Sequence, residues 1–555
     1  MMAPVDGLKK IIKGDVFVDE KTLTQFSSDA SLFSVQPEVV IAPRDSEDIK
    51  NLVKFVAGEK RQHPTLSLTA RSAGTDMTGG PLSDSIVLDF LKYFNWLGPI
   101  SDDGLITSVP GVYYRDFEKV TLSKEYFLPS YPASRGICAI GGLVNNNSGG
   151  EQSLVYGKTE RYVKEMKVVL SDAKEYVFKK ISREELNEKM KQIDFEGGIY
   201  RALFGLLESN YRLVKDGRPK VSKNSVGYNV WDIWDRETET FDLTKLFVGS
   251  QGTLGITTEV TFKLVKTRPF SGMAIIFLND LVRLPELISE TLKFNPNSLE
   301  SFDDHTLRLS LRFLPGLASL MGYKSLFSLM LSFLPDLFHV FKIGLPKLVV
   351  LAEFKEEDQS KLDDRLRSLT ERLAEMGFDL RVARDKSDER KYWTIRRESF
   401  NLLRHKVLGK QTAPYIDDLI VRPEYLSEFL PRLYKILDKY ELLYTIAGHV
   451  GDGNFHIIPL MDLSIAKERE KIRLSMEEVY NLVFEYHGSI SAEHNDGLLR
   501  SPYIKNMFGD ELFKVFRDIK NILDPQNIFN PHKKTDASLE FTFSHIKTPE
   551  LSHGG

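Results

Sequence analysis

Two short segments in the last quarter of the chain hold residues that could bind a metal ion. Residues 448–456 contain His449 and His456 among glycines and turn-forming Asp and Asn residues, and Glu493 follows further along. Glycine lets a chain double back between two apolar runs, which would bring the two imidazoles together. Two neutral imidazoles and a carboxylate suit a divalent transition metal with open coordination positions. The pattern predicts a metal site formed by His449, His456 and Glu493.

A third histidine lies beside the last of these ligands. His494 directly follows Glu493, so it would be free to move a proton while its neighbour holds the ion. The alternative is a glycine-rich hairpin with structural histidines in the core. Four such groups in two segments, each beside turn residues, favour the metal site.

Length and composition exclude several classes of protein. With 555 residues the chain should form two or more domains, and 42% hydrophobic and 27% charged residues are typical of a globular protein. A net charge of −4 gives no basic field for nucleic acid. The single cysteine, Cys138, excludes an intrachain disulfide and an iron–sulfur cluster held by this chain. Because residues 1–19 lack the pattern of a signal peptide, we expect a cytoplasmic protein.

Alternating short β-rich and helical runs begin near residue 37. Strands are predicted at 38–42, 66–69 and 86–89, and a helix at 46–59. The apolar face of that helix is expected to contain Ile49, Leu52, Val53 and Val56.

Three loops of small residues separate the predicted strands, at residues 70–80, 129–150 and 247–256. Loops of this kind allow close approach of a ligand, and the first could direct backbone N–H groups at a phosphate, although a plain surface loop has the same pattern. It matches neither the P-loop nor the dinucleotide-binding fingerprint. Loops spread over nearly two hundred residues indicate one long cofactor.

Taken together, the three loops resemble the flavin-binding domain of the vanillyl-alcohol oxidase superfamily. The positions that match its motifs are Arg71, Gly74, Thr75, Gly79, Gly80, Pro132, Ser134, Gly141, Gly142, Asn147, Gly149, Gly150, Gly249, Ser250, Gly252, Thr253, Leu254 and Gly255. Ser72 and Ala73 replace two glycines of the family, and Gln251 replaces a glutamate. The resemblance implies FAD bound by these loops, with further contacts at Ser72, Ala73, Ile256 and Asn530. Since no histidine lies in residues 70–80, we expect the FAD to be non-covalent.

The C-terminal half resembles the group of D-lactate dehydrogenase, glycolate oxidase and D-2-hydroxyglutarate dehydrogenase. The similarity is carried by residues 448–456, by residues 491–494 and by the closing motif at 524–531, while Asn495 and His532 replace family glycines. It implies oxidation of a 2-hydroxy acid by FAD, assisted by zinc, manganese or iron. A metal could lower the pKa of the substrate hydroxyl, and His494 would take its proton.

Two further substrate contacts are implied by the same group. Residues 393–396 resemble its Trp-x-x-Arg motif, which gives Arg396 the substrate carboxylate, with Arg397 as the alternative. A salt-bridged helix face would also explain the charges around them. Asn454 is a candidate for a polar contact to substrate, although an asparagine in a turn has the same pattern.

The expected fold class is α+β. A two-subdomain PCMH-type FAD-binding domain is predicted at 36–268, after a lead-in at 1–35. A substrate-binding cap domain with an antiparallel sheet is predicted at 269–530, and a loose tail at 531–555.

Residues 307–348 are unusually apolar and are flanked by basic residues. The apolar run is short and interrupted for a spanning helix, which needs about 20 apolar residues. One hypothesis is peripheral docking at the inner membrane face, where a quinone would collect electrons; an electron-transfer protein is the other expected acceptor. The alternative is the core of an enlarged cap domain or the wall of a substrate pocket.

Two other functions are compatible with the flavin motifs. A transferase resembling alkyl-dihydroxyacetone-phosphate synthase (alkyl-glycerone-phosphate synthase) would use the same fold, but that family's consecutive histidines are missing from this sequence. A non-catalytic flavin subunit would need neither metal ligands nor a base, so the set at 449, 456, 493 and 494 argues against it.

Overall fold

The computed structural model describes residues 4–312, 344–406 and 410–548, which form an α+β structure built on three main sheets. In chain order the strands are β1 Asp15–Phe17, β2 Val39–Ala42, β3 Leu68–Arg71, β4 Ile86–Asp89, β5 Leu105–Ser108, β6 Tyr126–Phe127, β7 Val163–Val169, β8 Glu175–Ser182, β9 Trp234–Asp235, β10 Thr240–Asp242, β11 Ile256–Lys263, β12 Val265–Lys266, β13 Phe270–Leu278, β14 Ser298–Asp303, β15 Leu348–Glu356, β16 Asp379–Val382, β17 Gln411–Thr412, β18 Leu419–Ile420, β19 Leu443–His449 and β20 Asn454–Met461. The α-helices of these residues are Val5–Ile11, Glu20–Phe26, Ser46–Glu59, Tyr114–Leu122, Ile140–Asn145, Ser153–Tyr156, Arg183–Lys191, Phe195–Ser209, Tyr211–Asp216, Thr244–Phe247, Leu284–Leu292, Asp304–Arg312, Gln359–Glu375, Lys386–Lys406, Leu426–Lys439, Ala466–Glu485, Gly497–Arg500, Ile504–Leu523 and Leu539–Ser544.

The first sheet has the order β1-β2-β4-β3, with β2, β4 and β3 parallel. The helix Ser46–Glu59 begins where the Asp45 side chain accepts a hydrogen bond from the Asp48 amide. Its four predicted apolar residues are buried against β2, β3 and β4, so the predicted helix and its apolar face are confirmed. Strand β3 begins two residues later than the strand predicted at 66–69.

The second sheet is antiparallel, with the order β5-β11-β7-β8-β10-β9. Its strand β11 begins at Ile256, at the end of the third small-residue loop, whereas the second loop follows the short strand β6. The first loop instead follows β3 of the parallel sheet. All three loops therefore start or end at strands of the first half of the chain.

The third sheet contains eight strands, in the order β16-β13-β15-β14-β19-β20-β17, with β18 also paired to β20. All of its pairings are antiparallel, as the sequence predicted for the cap. Strand β14 lies between β15 and β19, so side chains on β14 are held inside the sheet. The helix Lys386–Lys406 packs beside it through Tyr392, Trp393 and Ile395.

Residues 531–548 are ordered against the rest of the protein, so the prediction of a loose tail is wrong over this range. Ile546 is 4% exposed and forms a β-bridge with Phe33, and the Lys547 amide donates to the Leu32 carbonyl. The Thr542 hydroxyl donates to the Leu498 carbonyl. The apolar residues of a short amphipathic helix, Leu539–Ser544, gave no signal long enough to be recognised in the sequence.

The hypothesis about the apolar segment 307–348 falls mostly outside the described residues, because 313–343 are not among them. Its ends belong to the helix Asp304–Arg312 and to β15. Among the described helices, none has the length and apolar character needed to cross a bilayer. Membrane docking through this segment stays a prediction.

A buried carboxyl group lies where the first and last segments of the described chain meet. Burial, and then the nearby Asp76, raise the pKa of Asp29 to about 7 from its ordinary value of 3.8. Its Oδ1 accepts from the Ser31 amide at 2.9 Å, while Oδ2 has no hydrogen-bond partner among the described residues. Since the folded state binds the proton more tightly, the stability contributed by this site falls as pH rises from about 4 to 7 and stays low above that.

We therefore expect Asp29→Asn to stabilise the protein above pH 7, by roughly 1–3 kcal/mol. Asparagine keeps the Oδ1 acceptor for Ser31 and removes the buried charge. Thermal unfolding at pH 5 and pH 8 measures the effect, with Asp102→Asn at an exposed position as the control. Equal melting temperatures of parent and Asp29→Asn at pH 8 would contradict the assignment.

Candidate functional site

The hairpin of β19 and β20 brings the two predicted imidazole ligands to one face of the sheet. His449 pairs with Asn454 and Ala447 pairs with His456, so both imidazoles project to the same side. The turn is closed by the Asp452 and Gly453 amides, which donate to the carbonyls of His449 and Val450. Gly453 has a φ of 75° and lies against the Val421 carbonyl, a position that only glycine fits.

Glu493 completes a cluster with these two histidines, which we call the His–Glu cluster (His449, His456 and Glu493). The Glu493 Oε1 lies 3.1 Å from His449 Nε2 and 3.5 Å from His456 Nε2. One ligand atom from each of the three residues lies within 4.8 Å of the others. Two imidazole nitrogens and a carboxylate oxygen turned toward one another fit a divalent metal ion, which is the donor set expected from the sequence.

Two further carboxylates hold the other nitrogen of each imidazole. Glu300 Oε1 lies 2.6 Å from His449 Nδ1, and Asp417 Oδ1 lies 3.0 Å from His456 Nδ1. Both carboxylates are buried. Such contacts fix the orientation of a ligating ring and leave Nε2 for the metal.

His494 lies beside the His–Glu cluster in the place expected for a base. Its Nδ1 lies 2.6 Å from Asp417 Oδ2, and its ring stacks on that of His456 with centroids 5.0 Å apart. Burial lowers the pKa of His494, but the carboxylates of Asp417 and Asp418 raise it above its ordinary value overall. The half-buried ring can therefore present Nε2 to a substrate.

Asp418 shapes the segment that carries Glu493 and His494. Its Oδ2 accepts from both of their amides, at 2.8 and 2.7 Å, and also from the Ser491 hydroxyl at 2.8 Å. Its φ of 66° turns the carboxylate toward them. Sequence reasoning missed Asp417 and Asp418, although two adjacent aspartates directly before an apolar strand were a usable signal.

Lys223 is a second group that the sequence did not reveal. Its Nζ lies 3.1 Å from Glu493 Oε2, 3.0 Å from Asn454 Oδ1 and 3.5 Å from Asp452 Oδ2, and its side chain is 2% exposed. Although burial lowers the pKa of Lys223, the carboxylates of Glu493 and Asp452 raise it well above its ordinary range. A lysine 270 positions from its partner has no local pattern to mark it.

The two candidate arginines differ in what surrounds them. Arg396 Nε donates to Glu300 Oε2 at 2.8 Å. The other oxygen of the same carboxylate contacts His449, so Glu300 lies between the guanidinium and this imidazole. Arg397 forms a forked ion pair with Glu151, with Nη2 2.6 Å from each carboxylate oxygen. Both arginines are paired with a carboxylate, but Glu151 engages a terminal nitrogen of Arg397 while Glu300 engages only Nε of Arg396, so the geometry favours Arg396 as the carboxylate anchor.

Asn454 is fully buried, and its side chain is occupied by the protein. Its Nδ2 donates to Asp418 Oδ1 and to the Leu419 carbonyl, and its Oδ1 accepts from Lys223. The structure therefore supports a role for Asn454 in positioning the hairpin. The predicted contact to substrate has no support from this geometry.

The first small-residue loop offers free backbone donors. The amides of Ala73, Gly74 and Thr75 donate no hydrogen bond to any described residue, whereas the Gly80 amide donates to Asp76 Oδ2 at 2.7 Å. Gly74 has a φ of 64°. Unpaired N–H groups in a loop of small residues fit a phosphate, in agreement with the predicted cradle.

The other predicted cofactor residues lie around this loop and bring the three loops together. Asn530 Nδ2 donates to the carbonyls of Gly80 and Gln251, so it ties the first loop to the third. Gln251 Nε2 donates to Asn146 Oδ1, which joins the third loop to the second. Close packing explains a further glycine: a Cβ at Gly141 would lie 2.6 Å from Ser72 Oγ.

The remaining candidates are placed as follows. Four of them form hydrogen bonds: Arg71 donates to the carbonyls of Phe26 and Ser28, Asn147 Oδ1 accepts from the Glu160 amide, Thr253 Oγ1 bonds to Tyr228 Oη, and the Ser134 carbonyl accepts from the Cys138 amide. Two glycines make close contacts, since Gly150 packs on the backbone of Tyr131 and Pro132 and Gly142 lies beside Ser72. Gly79 and Gly252 have positive φ, and Ile256 is buried at the start of β11. Most of these contacts hold the loops in shape.

The second loop also contacts the His–Glu cluster. A Cβ at Gly149 would lie 3.0 Å from Glu493 Oε2, and Asn146 Nδ2 lies 3.4 Å from the Glu493 carbonyl. The loops that fit a long cofactor and the residues that fit a metal therefore form one continuous site.

The two departures from family glycines in the C-terminal half, Asn495 and His532, keep a glycine-like backbone. Asn495 has a φ of 70° and His532 a φ of 65°. Asn495 Nδ2 donates to the carbonyls of Gly249 and Asn146, and His532 stacks on Phe541 with centroids 3.9 Å apart. Each side chain adds a contact that glycine could not make, since asparagine and histidine tolerate this conformation better than most residues.

Two sequence families match the chain. Residues 37–178 match the FAD binding domain, and residues 280–534 match the C-terminal domain of FAD linked oxidases. These two domains, joined by the site described above, define an FAD-linked oxidoreductase. The chain therefore carries the two domains of FAD linked oxidases, in agreement with the FAD-linked family that the sequence predicted.

Curated relatives cover nearly the whole chain at low identity. D-2-hydroxyglutarate dehydrogenase of Escherichia coli K12 is 25% identical over 94% of this chain and 50% of its own length, so the chain spans about half of that relative. Glycolate oxidase subunit GlcD of Bacillus subtilis 168 is 27% identical over 92% of this chain and 91% of its own. D-lactate dehydrogenase of Anaerostipes hadrus is 24% identical over 95% and 96%.

Solved structures share the fold. An alkyldihydroxyacetonephosphate synthase aligns with a TM-score of 0.67 and 14% identity over 96% of this chain and 86% of its own. p-Cresol methylhydroxylase aligns with a TM-score of 0.66 and 14% identity over 96% of both chains. At this identity the likeness concerns the fold alone, and it agrees with the α+β, PCMH-type FAD-binding fold expected from the sequence.

Proposed function

We propose that this chain oxidises a 2-hydroxy acid to the 2-oxo acid, with non-covalent FAD and a divalent metal ion. One observation carries the proposal: the His–Glu cluster lies against Gly149 of the second FAD loop. Relatives named for D-2-hydroxyglutarate, glycolate and D-lactate support a 2-hydroxy acid as the substrate class. We retain the proposed domain limits of 36–268 and 269–530, since the family matches fall within or close to them.

The metal would be held by His449, His456 and Glu493. Burial raises the pKa of Glu493, but Lys223 and His449 lower it well below its usual range overall, so the ligand is ionised. When bound, the metal would supply Lewis acidity to the substrate hydroxyl, and FAD would supply an acceptor for the hydride of the same carbon. The reaction then removes one proton and one hydride from the substrate.

The protein's own residues position the acid and move the proton. Arg396 would pair with the substrate carboxylate, which sets the hydroxyl toward the cluster. His494 would accept the hydroxyl proton at Nε2, because Asp417 holds its Nδ1. We propose a quinone or an electron-transfer protein as the acceptor that reoxidises the cofactor.

Anaerobic mixing with D- and L-2-hydroxy acids tests this function. The FAD-loaded protein should lose its yellow colour with at least one acid, and a strong chelator should stop that loss until zinc or manganese is added back. The chelated sample with metal restored is the control for damage. Bleaching that persists after complete metal removal would refute the metal, and no bleaching by any acid would refute the substrate class.

A further inference from the structure

Glu300 contacts both His449, on the side of the substrate hydroxyl, and Arg396, the candidate partner of the substrate carboxylate. Its Oε1 contacts His449 Nδ1 at 2.6 Å, and its Oε2 accepts from Arg396 Nε at 2.8 Å. Its side chain is 1% exposed. One carboxylate therefore spans from a ligand of the His–Glu cluster to the candidate carboxylate anchor.

The backbone around Glu300 leaves this carboxylate little freedom. Strand β14 lies between β15 and β19, with Glu300 opposite Leu351 and Ser301 opposite Gly448. Because His449 directly follows Gly448 on β19, the sheet register sets the distance between Glu300 and the imidazole. A buried carboxylate with both oxygens occupied cannot rotate without breaking one contact.

Arg396 is aimed by the same contact. Its Nε is taken by Glu300, and within the described residues the guanidinium makes no other hydrogen bond. The terminal nitrogens are therefore available to an incoming carboxylate, in an orientation that Glu300 sets. Charge-assisted pairs of this type carry strong geometric preference.

We propose that Glu300 is a positioning residue that fixes the spacing between the metal-binding imidazole and the Arg396 guanidinium, and so selects acids whose hydroxyl is adjacent to the carboxylate. This inference rests on the proposed function. A 3-hydroxy acid places its hydroxyl one carbon–carbon bond further away, about 1.5 Å. A displacement of about 1 Å in a rigid site can cost about 100-fold in rate, so a fixed spacing discriminates strongly.

Two substitutions separate spacing from charge. Glu300→Asp keeps the charge and shortens the reach by one methylene, so at most one of the two contacts can persist. Glu300→Gln keeps the length, but its amide NH₂ cannot accept from Arg396 while its oxygen serves His449. Glu353→Gln is the matched control, because Glu353 is a buried glutamate of the neighbouring β15 that contacts Gln152 and lies outside the cluster.

The measurements are the KM and kcat for the best 2-hydroxy acid and the inhibition constant of its 3-hydroxy isomer, with bound metal and FAD determined for each variant. We expect both Glu300 variants to raise the KM at least 10-fold, with a smaller change in kcat. The inhibition constant of the 3-hydroxy isomer divided by the KM of the 2-hydroxy acid measures the selectivity. This ratio should fall at least 10-fold in both Glu300 variants, while Glu353→Gln keeps the parent ratio.

A merely structural role would weaken both acids equally and leave the ratio unchanged, and that result overturns the inference. Loss of metal or FAD with an unchanged ratio in the remaining loaded fraction would do the same. If the parent protein oxidises no 2-hydroxy acid, the proposed function itself has failed, which is a different and separately visible outcome.

Discussion

His494→Ala is expected to keep its FAD and lose flavin reduction, by about 10²–10⁴-fold in rate. The ring is half-buried, its Nδ1 is held by Asp417, and it stacks on His456 at the edge of the His–Glu cluster. Removing it takes away the proton acceptor, while all three candidate ligands are retained. Stopped-flow reduction under anaerobic conditions, with the flavin absorbance and bound metal measured beforehand, gives the rate.

His63→Ala is the control for this substitution, because His63 follows the helix Ser46–Glu59, in a different sheet layer from the cluster. It should reduce at the parent rate. A His494→Ala protein that retains metal and FAD and is reduced as fast as the parent would exclude His494 as the base.

Lys223→Met is expected to destabilise the folded protein by about 3–5 kcal/mol, the cost typical of removing one partner from a buried ion pair. The ammonium lies among Glu493, Asp452 and Asn454, and methionine of similar length would leave the two carboxylates without it. Denaturant unfolding at pH 7 measures the change. The protein should be metal-free in this experiment, since a bound metal would stabilise the native state separately.

Lys391→Met provides the matched comparison. Lys391 is fully buried beside Asp388, but that carboxylate keeps a two-pronged contact with Arg381, so the loss should be clearly smaller. Equal losses of unfolding free energy for the two variants would contradict the prediction. They would show that replacing any buried lysine has this effect, whatever the charges at the His–Glu cluster.

The sequence predicted the parts of the site that lie in contiguous motifs. The hairpin that holds His449 and His456, the adjacent Glu493 and His494, and the three loops of small residues were all recognisable from residue type and spacing. The helix at 46–59 was also predictable, because its apolar face and its capping aspartate are local.

The groups that support these residues were not predictable in the same way. Glu300, Asp417 and Lys223 come from three distant segments, and only the sheet register and the packing of the two halves bring them to the imidazoles. For Asn454 the motif suggests a substrate contact, which stays a prediction, while the structure shows its buried side chain bonded to Asp418, Leu419 and Lys223. The ordered residues 531–548 were missed because their contacts are also long-range.

The segment around Lys223 runs alongside the one that carries Glu493, with the Ser225 amide bonded to the Ser491 carbonyl and the Gly227 amide to Asp496. A cut at residue 268 would therefore sever a shared ionic centre, leaving an orphan cation in one fragment and its counter-ions in the other. We expect the fragments to be poorly soluble when produced alone and to recover when co-expressed. In the intact chain, we expect this centre to form late in folding, because its contacts close a loop of some 270 positions.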